Sequence, residues 1–250
     1  MAFLSLPLSM IFILLTLHYG SSSDPIALRK THEWKKLILT HHWPVTVCKM
    51  DQVQCENLPD YWTLHGLWPD KSQTCNKSWP FDYSEIKDIM TEMNKWWPDV
   101  LHPNKTQLWK HEWQKHGTCA ASLEALNSQH KYFSKAIDMY KMTDLNSALQ
   151  KSGIVPSTKY YQMKDITNAL VAIYGVVPKI QCLLPQQGED VQTLGQIEFC
   201  FTKEFQIRNC TDKRDALHFY EYRTNEELQV CDQELNTLYP PIKCLEEDCP

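Results

Sequence analysis

Lys110-His111-Glu112-Trp113-Gln114-Lys115-His116-Gly117-Thr118-Cys119 sets two histidines, a glutamate and a lysine within six residues, ahead of a cysteine. On an α-helix successive side chains advance by about 100°. With His111 at zero, Lys115 falls near ~40°, Glu112 near ~100° and His116 near ~140°. Four ionisable groups then share one face; Leu108 lies on the same arc at ~60°, and Trp109 and Trp113 flank it at ~160° and ~200°. Lys110 and Gln114 turn away. Such a face suits acid–base chemistry on an anion. Glu112 and His116, four apart, let a carboxylate orient an imidazole and raise its pKa, while His111 and Lys115 make a cationic clamp for phosphate.

Proton transfer in both directions calls for a second, opposing histidine. Tyr61-Trp62-Thr63-Leu64-His65 reads as a strand that Gly66 and Pro69 stop, which leaves His65 at a strand end. Upstream, residues 34–40 read as another strand, leading to His41-His42-Trp43 and ended by Pro44. Asp82 and Glu85 open a helix that carries Ile86, Met90, Met93 and Trp97 as far as Pro98. A proline-bearing loop over 98–106 is expected to be exposed. Helical patterns follow over 132–142 (Phe133, Ile137, Tyr140), 145–151 before Gly153, and 165–174 before Gly175. From Lys179 the pattern changes to short strands, 179–184 and 192–202, alternating well enough to pair. Residues 203–250 are polar and irregular. No repeat or heptad occurs. Strands and helices without regular βαβ alternation predict an α+β fold: a single domain with a central, mainly antiparallel sheet flanked by several helices.

The chain has 250 residues, 43% hydrophobic and 22% charged, which is enough apolar material for a sizeable core. All nine tryptophans lie between Trp34 and Trp113, pointing to an active N-terminal half. Residues 3–17 form an uncharged apolar run followed by Gly20-Ser21-Ser22-Ser23, too short to span a bilayer and ending in small residues. A signal peptide over 1–23 is expected, with the domain over 24–250. The ten cysteines all follow it, an even number suited to disulfides in an oxidising compartment. Asn76, Asn104 and Asn209 begin N-x-S/T sequons and are candidate glycosylation sites. The expectation is a glycoprotein of the secretory pathway without a membrane span.

A net charge of −5 disfavours a nonspecific nucleic-acid binder, which needs a basic surface. Nine histidines follow residue 23, however, and once all are protonated −5 becomes +4. The balance therefore changes sign in an acidic compartment.

Three enzyme chemistries compete for the opening stretch. A zincin helix requires H-E-x-x-H, with its histidines one turn apart. Here the spacing is H-E-x-x-x-H, and on a regular helix the second histidine swings ~140° from the first, too far to share a metal. A serine or cysteine hydrolase fits poorly: no G-x-S-x-G occurs, and the cysteines look committed to disulfides. Phosphoryl transfer by a histidine pair, His116 with His65, uses the whole set. A single histidine is most often a surface or hydrogen-bonded core residue; the clustering is what argues otherwise.

The segment Tyr61-Trp62-Thr63-Leu64-His65-Gly66-Leu67-Trp68-Pro69-Asp70, together with Lys110–Cys119, resembles the two active-site segments of the ribonuclease T2 family. H-E-W-K-K-L from His32 and Y-G-V-V-P-K-I-Q-C from Tyr174 resemble its secreted animal members, and the likeness covers roughly residues 32–210. The resemblance implies a metal-independent endoribonuclease acting on single-stranded RNA, without cofactor, and yielding 2′,3′-cyclic phosphates. DNA, lacking the 2′-hydroxyl, is not cut. His116 takes the role of general base on that hydroxyl, and His65 that of general acid on the departing 5′-oxygen. Glu112, Lys115 and His111 stabilise the phosphorane, and Trp68 and Asp70 line a base pocket. Leu108 stands where many members carry phenylalanine beside the second base. Family-like pairing implies disulfides Cys48–Cys55, Cys75–Cys119, Cys182–Cys231 and Cys200–Cys210, leaving Cys244 and Cys249 without an assigned partner. A monomer, secreted or lysosomal and working at acidic pH, is expected. The competing reading from another class is a secreted glycoprotein that keeps this fold for binding or signalling.

Overall fold

Val191–Phe201 is the longest strand of the computed structural model, and the sheet is assembled on it. Residues 33–71, 74–185, 188–210 and 228–242 are described; the signal peptide expected over 1–23, Cys244 and Cys249 lie outside them. From Trp34 onward the chain clusters as one unit. The strands are β1 (Leu37–His42), β2 (Thr63–Pro69), β3 (Tyr160–Gln162), β4 (Lys179–Leu183), β5 (Val191–Phe201), β6 (Ile207–Arg208), β7 (Gln229–Val230) and β8 (Asn236–Leu238). They join in one sheet with the path β2-β1-β5-β4-β7; β6 and β8 add to β5, and β3 adds to β8. Every pairing is antiparallel except β5 with β8. The mixed α+β architecture expected from the sequence is present.

The helices are α1 (Pro44–Met50), α2 (Met90–Trp96), α3 (Gln107–Glu112), α4 (Thr118–Ala120), α5 (Gln129–Thr143), α6 (Leu145–Lys151) and α7 (Met163–Tyr174). Their ends follow local chemistry. Ser128 caps α5 by accepting from the Lys131 N–H. Gly175, at φ 69°, closes α7 in the left-handed conformation that glycine adopts at no steric cost. Asp82 accepts from the Ser84 N–H, but the turn it opens is 3-10 (Tyr83–Ile89), and α2 begins only after it.

Pro44 ends β1, and it also begins α1, a helix the sequence reading missed. Proline suits the first helical position, where its absent N–H has no partner to lose. The first strand starts at Leu37 rather than Trp34. Trp34 instead packs in the core, its indole N–H donating to the Cys119 carbonyl.

The larger correction concerns β2. It does not stop at Gly66 but runs to Pro69, so His65 is an interior residue of a strand. Pairing with β1 slips there: Thr40 faces Gly66 and His41 faces Leu64, which leaves His65 as the extra residue of a β-bulge. A bulge re-aims a side chain without ending the strand. Gly66 tolerates the site because a Cβ on it would overlap the Trp68 indole and a Glu112 carboxylate oxygen.

The core fills the space between the sheet and α5 with large side chains. Trp34, Trp43, Trp62, Trp97, Trp113, Tyr132 and Phe133 are all fully buried. Among the described residues four disulfides staple it: Cys48–Cys55, Cys75–Cys119, Cys182–Cys231 and Cys200–Cys210. Among the described residues no helix is long and apolar enough to cross a membrane.

Cys75–Cys119 closes a separation of 44 residues, and replacing both cysteines by alanine is expected to cost roughly 4 kcal/mol of unfolding free energy, read by denaturant titration. A Cβ on Gly117 would overlap the Trp113 ring, so Gly117→Ala is expected to destabilise the fold by about 1–3 kcal/mol through overpacking, read as a lowered Tm.

Candidate active site

The stretch 107–120 is helical throughout, but it is not a regular α-helix. Between α3 and α4, residues Trp113–Gly117 form a π-turn. Its i→i+5 pattern brings residues five apart towards one face, and such turns recur at functional sites. His111 and His116 are five apart, and their ring centroids lie 6.2 Å from each other. The ~140° separation expected for a regular helix is therefore wrong. Ligand atoms of His111, Glu112 and His116 all lie within 4.8 Å of one another, so the spacing argument against a shared metal falls with it. These three are the described residues that offer a divalent cation a site.

Trp68 joins the strand to this helix. Its indole N–H donates to Glu112 Oε2 at 2.7 Å. One face of the indole stacks on His116, centroids 5.1 Å apart at 26°, and His65 meets it edge-on at 4.9 Å and 80°. His65 and His116 thus approach the same ring from a strand and from a helix. The His65 carbonyl, at the bulge, accepts from the Trp97 indole at 2.8 Å, and the Trp97 carbonyl accepts from Trp109 at 2.7 Å. Cys75–Cys119 holds the loop after β2 against the helix, reinforced by the Thr74 N–H donating to the Lys115 carbonyl at 3.1 Å.

Electrostatics separate the groups. Burial, then the charges of Lys115, His111 and His65, push His116 down to about 3. This is opposite in sign to the Glu112 effect expected from the sequence: low dielectric and neighbouring cations both oppose the imidazolium. Burial pushes Glu112 up to about 8, partly offset by the Trp68 donor and Lys115. His65 is also lowered by burial, while its bond to Gln196 works the other way. Burial and Lys115 lower His111. Lys115 is exposed, and its charge reaches all four groups.

Asp70 turns its carboxylate to the chain entering β1. Its carboxylate accepts from the Lys35 N–H at 2.7 Å and the Lys36 N–H at 3.4 Å, tying a turn to the start of β1. Leu108 lines a cavity of about 180 Å³ beside His65, with His42, Met50, Asp99, Val100 and Gln196 among its walls. The three sequon asparagines are exposed. The Asn76 side-chain Oδ1 accepts from the Ser78 N–H and hydroxyl, and Asn209 Oδ1 from the Val177 N–H.

Three neighbours of His65 escaped the sequence reading. His42 stacks on it at 4.9 Å, Gln196 accepts from its ring, and Trp97 holds its carbonyl. Strand alternation reveals which residues share a face, not which strands become neighbours. The π-turn had a faint signal: Gly117 stands where a helix interior disfavours glycine.

Residues 34–210 match the model of the Ribonuclease T2 family. Ribonuclease T2 of Sus scrofa is 61% identical over 215 residues, covering 85% of this chain and all of that one. Ribonuclease T2 of Homo sapiens is 53% identical over 226 residues, 86% of this chain and 88% of that one. The crystal structure of human RNase T2 superposes with a TM-score of 0.72, covering 83% of this chain and 99% of its own. Ribonuclease MC1 from bitter gourd seeds superposes at 0.64 with 31% identity, covering 71% of this chain and 95% of its own. With its two histidine-bearing segments folded against one indole, this chain belongs to the ribonuclease T2 family and is an endoribonuclease.

Proposed function

We propose that the chain cleaves single-stranded RNA by transphosphorylation, with His116 as general base and His65 as general acid. The observation that carries this reading is the shared indole: His116 on the face of Trp68 and His65 edge-on to it bring an imidazole from the helix and one from the strand against the same ring. His116 takes the proton of a ribose 2′-hydroxyl. The 2′-oxygen then bonds to phosphorus, the bond from phosphorus to the 5′-oxygen breaks, and His65 protonates that oxygen. The products are a 2′,3′-cyclic phosphate and a free 5′-hydroxyl. DNA offers no 2′-hydroxyl and is not cut.

Lys115 and His111 face the charge that builds on the equatorial phosphate oxygens, worth most where water is scarce. Glu112, held by the Trp68 indole, supplies a further hydrogen-bonding group there. The half-buried Trp68 ring also gives an unpaired base a surface to stack on. The histidine pair completes both proton transfers, so the reaction does not call for a metal. Every residue invoked comes from one chain, in keeping with a monomer. Disulfides and exposed sequons fit a secreted or lysosomal glycoprotein.

The pH dependence follows from the two imidazoles. The base must be neutral, and His116, at about 3, is neutral above that pH. The acid must be protonated, and His65 lies below its ordinary 6.5, so activity falls as pH rises through a value below 6.5. A bell of kcat/KM confined to the acid side is expected for a dinucleotide substrate. A descending limb above pH 7 contradicts the assignment. His116→Phe is expected to abolish cleavage, and a variant retaining more than a few per cent of the rate refutes His116 as base. Activity is expected to survive EDTA with cyclic-phosphate products by mass spectrometry; loss in EDTA assigns His111, Glu112 and His116 to a metal instead.

A further inference from the structure

Strand register places a row of polar side chains behind His65. On β1, β5 and β4, His42 faces Gln196 and Gln196 faces Gln181; one step along, Thr40 faces Glu198 and Glu198 faces Lys179. Directly opposed residues share a face of the sheet. Gln196 and Glu198 are 5% and 4% exposed, so their polar atoms depend on protein partners. Lys179 Nζ donates to Glu198 Oε1 at 3.2 Å. Gln196 Nε2 donates to the same Glu198 oxygen at 3.0 Å and to Gln181 Oε1 at 2.5 Å. Gln196 Oε1 stands 2.9 Å from His65 Nδ1.

The chemistry of these groups leaves one consistent arrangement. An ionised carboxylate only accepts, so the Gln196 amide must turn its NH₂ towards Glu198 and its oxygen towards His65. That oxygen also only accepts, so His65 Nδ1 must carry a proton. The catalytic atom is then Nε2. The doubly protonated ring donates from Nε2 to the leaving oxygen and falls back to the Nδ1–H tautomer, which the hydrogen bond already favours. The wrong tautomer would put a lone pair against the amide oxygen.

We infer that Gln196, oriented by the Lys179–Glu198 pair, is a positioning residue that fixes the tautomer and orientation of His65. This rests on His65 being the general acid. The groups facing the His65 ring are Gln196 from β5, His42 from β1, and His111, Lys115 and His116 from the helix, with Trp68 at its edge. The Gln196 hydrogen bond favours the imidazolium, against burial, His111 and Lys115.

The test uses the full chain in dinucleotide cleavage, with ¹⁵N chemical shifts of the His65 ring. In the wild type, neutral His65 is expected as the Nδ1–H tautomer; finding the Nε2–H tautomer overturns the inference whatever any variant does. Gln196→Met is expected to lower kcat by roughly 10–100-fold with KM little changed, to move the descending pH limb lower, and to mix the tautomers. The exchange Gln196→Glu with Glu198→Gln puts the carboxylate directly on Nδ1. It is expected to restore the tautomer and move that limb higher, a reversal that a merely structural role does not produce. His65→Ala separates the two claims. If it remains active, the acid assignment itself fails. If it is dead while Gln196→Met keeps the wild-type kcat, pH limb and tautomer, Gln196 alone is excluded.

Discussion

The hydrogen bond from the Trp68 indole to Glu112 is the contact on which the site depends. It crosses from β2 to the helical stretch 107–120, and so it sets the distance between His65 and His116. Glu112 is 1% exposed, and a carboxyl at that depth is costly without a donor. The bond relieves that cost and orients the ring on which His116 stacks. It requires close approach, and Gly66 supplies it, since any side chain there would occupy the space of the indole and the carboxylate. Gly117 does the same for the Trp113 ring on the helix side.

The tryptophan excess has a related explanation. These residues fill the core with large rings, and their N–H groups reach backbone carbonyls that the irregular segments leave open. Trp109 donates to Trp97, Trp97 to His65, Trp34 to Cys119, Trp113 to Trp79, and Trp43 to Pro240. A bulged strand and a π-turn both spoil regular hydrogen bonding, and indole donors satisfy what is left over. The bulge at His65 persists because its free carbonyl is bonded in this way.

Burial also decides protonation. His41, His42, His65, His111 and His116 are all held below the ordinary histidine value, with desolvation the leading cause in each. His41 is pushed to about 3, bonded to Thr143 and stacked on Tyr140, and remains a neutral core residue. The crowding of imidazoles reinforces the effect, because each proton gained raises the cost of the next.

Much of this was legible in the residues. Helix periodicity and glycine stops located α5, α6 and α7 within a few residues, and alternation located β4 and β5. The two histidine segments and their resemblance to a known family singled out His65, Glu112 and His116, three side chains that the fold brings against the Trp68 indole. Local reading failed where long-range packing overrides local preference. Gly66 looked like a strand stop because glycine weakens strands, yet it is required by an indole 44 residues before the carboxylate it meets. His111 and His116 looked incompatible because a regular helix separates them, yet the π-turn, packed by Trp113 against Gly117, brings them together. Sequence by itself determined which chemical groups are present and which short segments carry them, since periodicity and turn chemistry act over a few residues. Only the tertiary structure decided which groups face one another, how deeply each is buried and hence how it is protonated, because register, bulge and desolvation depend on strands and helices far apart in the chain.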